Sequence, residues 1–184
     1  MKQESARPLM LKATAAISKG KYAGAEDLLK QAVQIAPHYA EALLLLAEDY
    51  EHQGKTQDAM DVYHSLVYSQ GWGSSINSSP NTSFRYMLLL VKANRLKEAG
   101  DMLARANRSF TITTGHPIIA DIAPHSQDPI ALEAAAHLGL GISTQSHMSS
   151  NTEEQLHHIK KALALKPDSK EAQAAYQKAL QMPA

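Results

Sequence analysis

Apolar residues recur every three or four positions through most of the chain, and polar residues fill the positions between them. In residues 20–37 the apolar set is Tyr22, Ala25, Leu28, Leu29, Ala32, Val33 and Ile35. This spacing predicts one apolar side on an α-helix. Gly20 precedes the stretch as a turn, and Pro37 follows it, where a proline cannot continue a helix. Because residues 9–17 also have a helical pattern, the sequence predicts two short helices joined by a turn.

The same pattern returns further along the chain at a fixed distance. Six pairs of similar residues are each 34 positions apart, namely Leu9 and Leu43, Ala13 and Ala47, Gly20 and Gly54, Ala25 and Ala59, Leu29 and Tyr63, and Ala32 and Leu66. A period of this length is typical of stacked helical hairpins, since one hairpin cannot bury its apolar side alone. The alanines are expected where helices cross closely, with larger residues between neighbouring hairpins.

These residues resemble the tetratricopeptide repeat. The second copy carries most of that pattern, in Leu43, Leu46, Ala47, Tyr50, Gly54, Ala59 and Tyr63. The resemblance extends over four repeats, at about 6–37, 38–71, 81–110 and 128–167, and a C-terminal helix at 168–181 would cover the end of the stack. The resemblance therefore implies an all-α fold, a right-handed solenoid of about four helical hairpins that forms a single domain over residues 1–184.

Polar residues predict how the last two helices begin. Thr152 and Gln155 match a capping box, in which two side chains bond to backbone N–H groups of the first helical turn. Asp168 and Glu171 suit the N-terminus of the final helix.

Residues 109–129 are the least repeat-like stretch of the chain. Their β-branched residues and prolines oppose a helix. Because Ile118, Ile119 and Ile122 would be costly to expose, the segment is expected to pack onto the fold. It is either a spacer between repeats or an arm that contacts a partner.

The resemblance also implies where a partner binds. In this family the first helix of each hairpin lines a groove that holds a peptide or an extended segment of another protein. The matching positions are Met10, Thr14, Glu41, Leu44, Glu48, Glu51, Phe84, Leu88, Val91 and Leu140. A basic clamp that one branch of the family uses for a chaperone's C-terminal carboxylate is missing, because Thr14, Leu44 and Glu48 stand in its place.

An apolar floor with several glutamates suits an apolar or basic segment. The alternative interpretation is that the apolar residues at these positions only pack in the core and that the glutamates form a solvated face.

Composition disfavours several classes of function. Lys plus Arg and Asp plus Glu number 18 each among 184 residues, so the formal net charge is zero. This balance disfavours nucleic acid and anionic membrane surfaces as partners, since both are bound through basic residues. The absence of Cys excludes thiolate ligands and cysteine nucleophiles, and no apolar stretch approaches the ~20 residues of a membrane span. A cytoplasmic location is the default expectation.

Two further patterns do not predict a chemical site. The nine histidines include no His-x-x-x-His pair, and the adjacent His157 and His158 would diverge by ~100° on a helix. The Gly-x-Gly sequences at 71–73 and 139–141 follow no predicted strand, so neither indicates a phosphate loop. We therefore expect no catalytic residue, cofactor or metal.

The sequence thus predicts a non-enzymatic interaction module or scaffold with a protein or peptide partner. One alternative is a self-assembling structural protein, a homodimer with Trp72 and the open edge at Leu9 as contacts; a homo-oligomer is thus a possible state of the chain. Another alternative is a regulatory domain of a larger protein.

Overall fold

The computed structural model describes residues 2–68, 80–114, 117, 119–123, 125–143 and 152–181. Within these ranges every element of regular secondary structure is an α-helix, which confirms the all-α fold class. The helices are α1 (Lys2–Ile17), α2 (Tyr22–Ile35), α3 (Ala40–His52), α4 (Thr56–Tyr68), α5 (Pro80–Lys92), α6 (Leu96–Thr114), α7 (Pro129–Ser143), α8 (Thr152–Leu165) and α9 (Lys170–Leu180). The chain divides into two compact units, Met1–Asn77 and Ser78–Ala184. The continuous stacking of all repeats in one domain stays a prediction.

The first unit contains two helical hairpins, α1–α2 and α3–α4, and α2 packs on α3. Both hairpins turn at a glycine with positive φ, 69° at Gly20 and 71° at Gly54. A residue without a Cβ adopts this conformation at no steric cost. The two turns therefore lie where the repeating glycines predicted them.

The repeated alanines of the first unit lie at helix contacts. Ala13, Ala25, Ala47 and Ala59 have no exposed surface, and neither has Tyr63. A methyl side chain allows two backbones to approach closely, and larger residues such as tyrosine then fill the space between hairpins. The register predicted from the 34-residue period is therefore confirmed in this unit.

A buried carboxylate ties the two hairpins of the first unit together. Glu26 on α2 is 8 % exposed and accepts hydrogen bonds from Lys30 Nζ and Lys55 Nζ, each at 2.6 Å. Gln53 Nε2, at the end of α3, donates to Glu26 at 3.0 Å and to Asp49 at 2.6 Å. The Lys30 bond and then the Lys55 bond lower the pKa of Glu26 to about 2, although burial acts in the opposite direction. The Glu26 charge thus holds α2 against the α3–α4 turn.

The second unit contains the hairpins α5–α6 and α7–α8, and α9 packs on α8. A close contact joins α5 to α7, because a Cβ at Gly139 would overlap the buried Phe84 ring. A Cβ at Gly141 would lie 2.6 Å from Ile159 Cγ1 on α8. The two glycines of the 139–141 sequence therefore serve close helix packing.

The segment after α6 begins differently from the sequence prediction. Residues 109–114 continue α6, although their β-branched side chains opposed a helix. The Thr111 hydroxyl donates to Asn107 O at 2.8 Å, so its polar group is satisfied within the helix. Since the propensity penalty is only a few tenths of a kcal/mol per residue, continuation of a helix that is already packed outweighs it.

The rest of this segment packs down as predicted. Ile119 and Ile122 are 1 % and 5 % exposed, whereas Ile118 lies outside the described residues. Asn107 on α6 donates to Ile119 O at 2.8 Å and accepts from Ile119 N at 3.0 Å. Glu171 on α9 accepts a hydrogen bond from Ala120 N at 3.1 Å. These contacts fasten the segment to two helices of the second unit, which favours the spacer interpretation.

The N-terminus of α9 differs by one residue from the prediction. Its N-cap is Ser169, whose Oγ accepts from Ala172 N at 3.2 Å, and not Asp168. Ser169 has an extended backbone, as an N-cap requires. The carboxylate of Glu171 is engaged by the backbone of Ala120 instead.

The capping box predicted for α8 lacks the bond from Gln155. The helix begins at Thr152, but Gln155 is 1 % exposed and its side-chain amide has no hydrogen-bond partner among the described residues. Gln155 therefore does not bond to the first turn of α8. It is buried where its backbone carbonyl oxygen lies beside Gly141 of α7.

Replacing Ala25 by leucine is expected to lower the free energy of unfolding by ~1–3 kcal/mol, because the added atoms would overfill a helix contact. Ala23→Leu is the matched control, since Ala23 is exposed on the same helix; its effect should stay within ~0.5 kcal/mol. Urea denaturation followed by far-UV circular dichroism measures both. Equal losses would contradict the register.

Gly139→Ala is expected to cost ~1–3 kcal/mol, because the new methyl group would overlap the buried Phe84 ring. Gly24→Ala has no atom within 4 Å of the added Cβ and should stabilise α2 by ~0.5–1 kcal/mol. The same denaturation experiment compares the two substitutions. A stabilising Gly139→Ala would show that α5 and α7 do not approach as described.

Glu26→Gln is expected to destabilise the protein at neutral pH and to flatten its acid response. The pKa of Glu26 is about 2 when folded and 4.5 ordinarily, so its contribution is present above pH 4.5 and is lost as the pH falls towards 2. Denaturation at several pH values measures this slope. Asp27→Asn, on an exposed neighbour, should keep the wild-type slope; the same flattening in both variants would rule out Glu26 as the cause.

Candidate functional site

Six of the predicted groove residues belong to the first unit, and each keeps part of its surface exposed. They are Met10 and Thr14 on α1 and Glu41, Leu44, Glu48 and Glu51 on α3. The two helices contact each other. Met10 and Leu44 are partly buried, so they combine a packing role with an accessible apolar edge. We call these six residues the α1–α3 face.

Hydrogen bonds orient two polar members of the α1–α3 face. The hydroxyl of Tyr63, a fully buried residue of α4, donates to Glu51 Oε1 at 2.5 Å. This bond comes from the helix behind and holds the Glu51 carboxylate in place. The Thr14 hydroxyl donates to Met10 O at 3.0 Å, so its hydrogen is used within α1.

Glu41 lies in a mixed electrostatic environment at the start of α3. The neighbouring Tyr39 is 7 % exposed, and burial is the main cause that raises its pKa. The Glu41 carboxylate raises the pKa of Tyr39 further, through its charge and a hydrogen bond, whereas Arg7 lowers it. Glu41 thus shares its surroundings with a basic residue of α1.

The other four predicted groove residues belong to the second unit, and two of them lie in its core. Phe84 is 0 % and Leu140 is 2 % exposed, which contradicts their predicted place on an open groove. The reason is the contact between α5 and α7, in which the Phe84 ring occupies the space left by Gly139. Leu88 and Val91 on α5 remain partly exposed.

Two histidines meet in the second unit. His137 Nδ1 on α7 and His158 Nδ1 on α8 are 2.8 Å apart. Burial is the main cause that lowers the pKa of each to about 4. The ring of His157 meets that of His158 edge-on at 5.8 Å, in line with the divergence expected of adjacent helical residues.

The remaining histidines that the structure describes do not join this pair. His125 Nδ1 lies 2.7 Å from Asp101 Oδ1, and His116 and His147 lie outside the described residues. In the part of the chain that the structure describes, no group of three or more histidine, aspartate or glutamate side chains is arranged to hold a metal ion.

Two other predictions from the sequence have separate outcomes. Trp72, the predicted contact between two copies, lies outside the described residues, and Leu9 is partly buried on α1. Self-association therefore stays a prediction. Over the described ranges, the helices are too short or too polar to cross a membrane.

Comparison with known proteins agrees with the helical-hairpin architecture. The sequence model of the tetratricopeptide repeat family matches residues 16–70. No curated protein matches the chain in sequence.

Solved structures of MamA share the fold. The chain is 16 % identical to MamA 41-end from Desulfovibrio magneticus RS-1, with a TM-score of 0.51 and coverage of 96 % of this chain and 93 % of that one. A crystal structure of MamA protein gives 17 % identity, a TM-score of 0.54 and coverage of 97 % and 87 %. Identity this low shows the fold alone. The family match, which covers the same part of the chain as the 34-residue period, shows that residues 16–70 are tetratricopeptide repeats.

Proposed function

We propose that this chain is a non-enzymatic interaction module whose α1–α3 face binds an extended segment of a partner protein. The observation that carries the proposal is the composition of this face. Partly buried Met10 and Leu44 stand beside three carboxylates, on a pair of hairpins whose family binds protein or peptide partners. The partner segment would carry apolar side chains together with Lys or Arg.

A preformed surface reduces the cost of binding. Tyr63 holds Glu51 from behind, and the Glu26 network holds α2 against the end of α3. Both sets of bonds exist before any partner arrives, so binding orders the partner segment and leaves the hairpins as they are. An extended segment is favoured because it presents successive side chains to a row of helix positions.

The apolar and acidic residues would contribute in different ways. Contact with Met10 and Leu44 removes apolar surface from water, which supplies affinity, and the flexible methionine adapts to different side chains. The carboxylates of Glu41, Glu48 and Glu51 select basic residues and raise the association rate, an effect that salt screens. Binding should therefore depend on salt without disappearing at high ionic strength.

The second unit supplies a smaller candidate surface. Leu88 and Val91 are the predicted groove residues that remain partly exposed there. In this proposal they make a separate apolar contact with the partner. Phe84 and Leu140 take no part in it, because both are buried.

The test uses short fluorescent peptides in which Lys or Arg alternates with Leu or Val. Charge-inverted peptides with Asp or Glu at the same positions are the comparison, and fluorescence anisotropy reports binding. The basic peptides should bind more tightly than the acidic ones and more weakly as salt is added. Glu48→Lys should weaken the basic peptides about tenfold, or ~1.4 kcal/mol, because it replaces attraction by repulsion.

Asp61→Lys is the matched control. Asp61 is exposed on α4 and is bonded to Gln57 of the same helix, so the substitution makes the same change in net charge outside the α1–α3 face. Equal weakening by both variants would mean that only net charge matters. Equal affinity for basic and acidic peptides would overturn the proposed partner class.

A further inference from the structure

We infer that the crossing of α7 and α8 is an acid-sensitive switch, in which the part-buried His137–His158 hydrogen bond tolerates one added proton and is broken by a second. This inference is independent of the α1–α3 face, because it rests on side chains of the second unit alone.

The geometry requires a shared hydrogen between the two rings. The Nδ1 atoms are 2.8 Å apart, the ring centroids 5.1 Å apart, and the ring planes are inclined by 32°. Two bare nitrogens or two N–H groups would repel at that distance, so one Nδ1 donates and the other accepts. His137 is 6 % exposed, so water does not replace this bond at its ring.

Glu133 indicates which histidine is the acceptor. Its Oε1 lies 4.0 Å from His137 Nε2, one helical turn away on α7. A hydrogen on His137 Nε2 faces this carboxylate and leaves Nδ1 as the acceptor. His158 then carries its hydrogen on Nδ1 and donates it to His137.

The two protonation steps have different consequences. A first proton can enter at His158 Nε2, which lies outside the bond, and the donor then becomes a cation that still donates to His137. A second proton must enter at His137 Nδ1, the acceptor. Two N–H groups of two imidazolium rings would then face each other, so the bond is lost and the charges repel.

Charged groups of three helices act on this pair. Cationic or titratable neighbours are Arg85 and Lys92 on α5 and His157 and Lys161 on α8, and the carboxylates are Glu133 on α7 and Glu154 on α8. Arg85 and Glu154 are themselves paired at 3.5 Å. The surplus of positive groups adds to burial in disfavouring protonation of His137.

Close packing limits the response of the helices to added charge. Gly141 lies one turn beyond His137 on α7, and it contacts Ile159, which is adjacent to His158 on α8. Because this crossing depends on a missing side chain, there is little room for water to solvate a second charge between the helices. The pair therefore takes up both protons only when α7 and α8 move apart.

The direction of the pH effect follows from the lowered pKa values. Both histidines have a pKa of about 4 in the folded chain and 6.5 ordinarily. The unfolded or opened form therefore binds protons first. The stability supplied by the neutral pair is complete above pH 6.5 and is lost as the pH falls from 6.5 towards 4.

Nitrogen NMR of the whole chain tests the bond directly. Long-range correlation of the imidazole protons and nitrogens across a pH titration should show a hydrogen on Nδ1 of His158 and on Nε2 of His137, and both rings should remain neutral well below pH 6.5. The exposed His157 provides an internal comparison on the same helix. Two independent rings that titrate near pH 6.5 would overturn the inference.

Hydrogen exchange tests the opening. After correction for the intrinsic rate, amides of α7 and α8 should exchange roughly 500-fold faster at pH 5 than at pH 7, since each histidine whose pKa rises from about 4 to 6.5 on opening contributes about twentyfold. The double variant His137→Asn with His158→Asn keeps donors and acceptors but does not titrate, so this acceleration should vanish. His157→Asn, the matched control, should retain it.

An acceleration equal in the double variant and the wild type would show that other groups cause it, and no acceleration in the wild type would show that the pair does not open. If circular dichroism shows that the double variant does not fold, the NMR titration of the wild-type chain decides.

Discussion

Close approach of helix backbones is the constraint on which this structure depends. At a tight crossing the residue in contact must have almost no side chain, and a larger one would have to move a neighbour that is itself packed. The first unit meets this requirement with alanines such as Ala25 and Ala59, and the second with Gly139 and Gly141. The large residues of each unit, Phe84 among them, fill the space beside those contacts.

An ionised group that is buried near these crossings needs hydrogen-bonding or oppositely charged partners, because water does not reach it. Glu26 remains charged, since two lysines and a glutamine bond to its carboxylate. His137 instead stays neutral and shares a hydrogen with His158. At a similar degree of burial, a charge is thus retained in one unit and excluded in the other, because Glu26 is bonded to two lysines whereas the partner of His137 is another histidine.

The division between core and surface decides where a partner can bind. On α3, residues that keep an exposed edge stand beside residues that hold the hairpins together, so the helix serves both packing and recognition. On α5, the contact with α7 draws Phe84 inward and leaves Leu88 and Val91 at the surface. The proposed partner face therefore lies mainly in the first unit, where the repeats match their family.

The sequence by itself determined the helices, the turns at Gly20 and Gly54 and the buried alanines, because these follow from local spacing and backbone conformation. It also predicted repeats at about 6–37 and 38–71 and predicted that the isoleucines near 119 pack down. Only the tertiary structure decided that Phe84 is core, that residues 109–114 extend α6 and that His137 meets His158. The positions of Phe84 and of the two histidines depend on contacts between helices distant in sequence, which no periodicity within one helix specifies. At residues 109–114, continuation of α6 outweighs the local propensity against a helix.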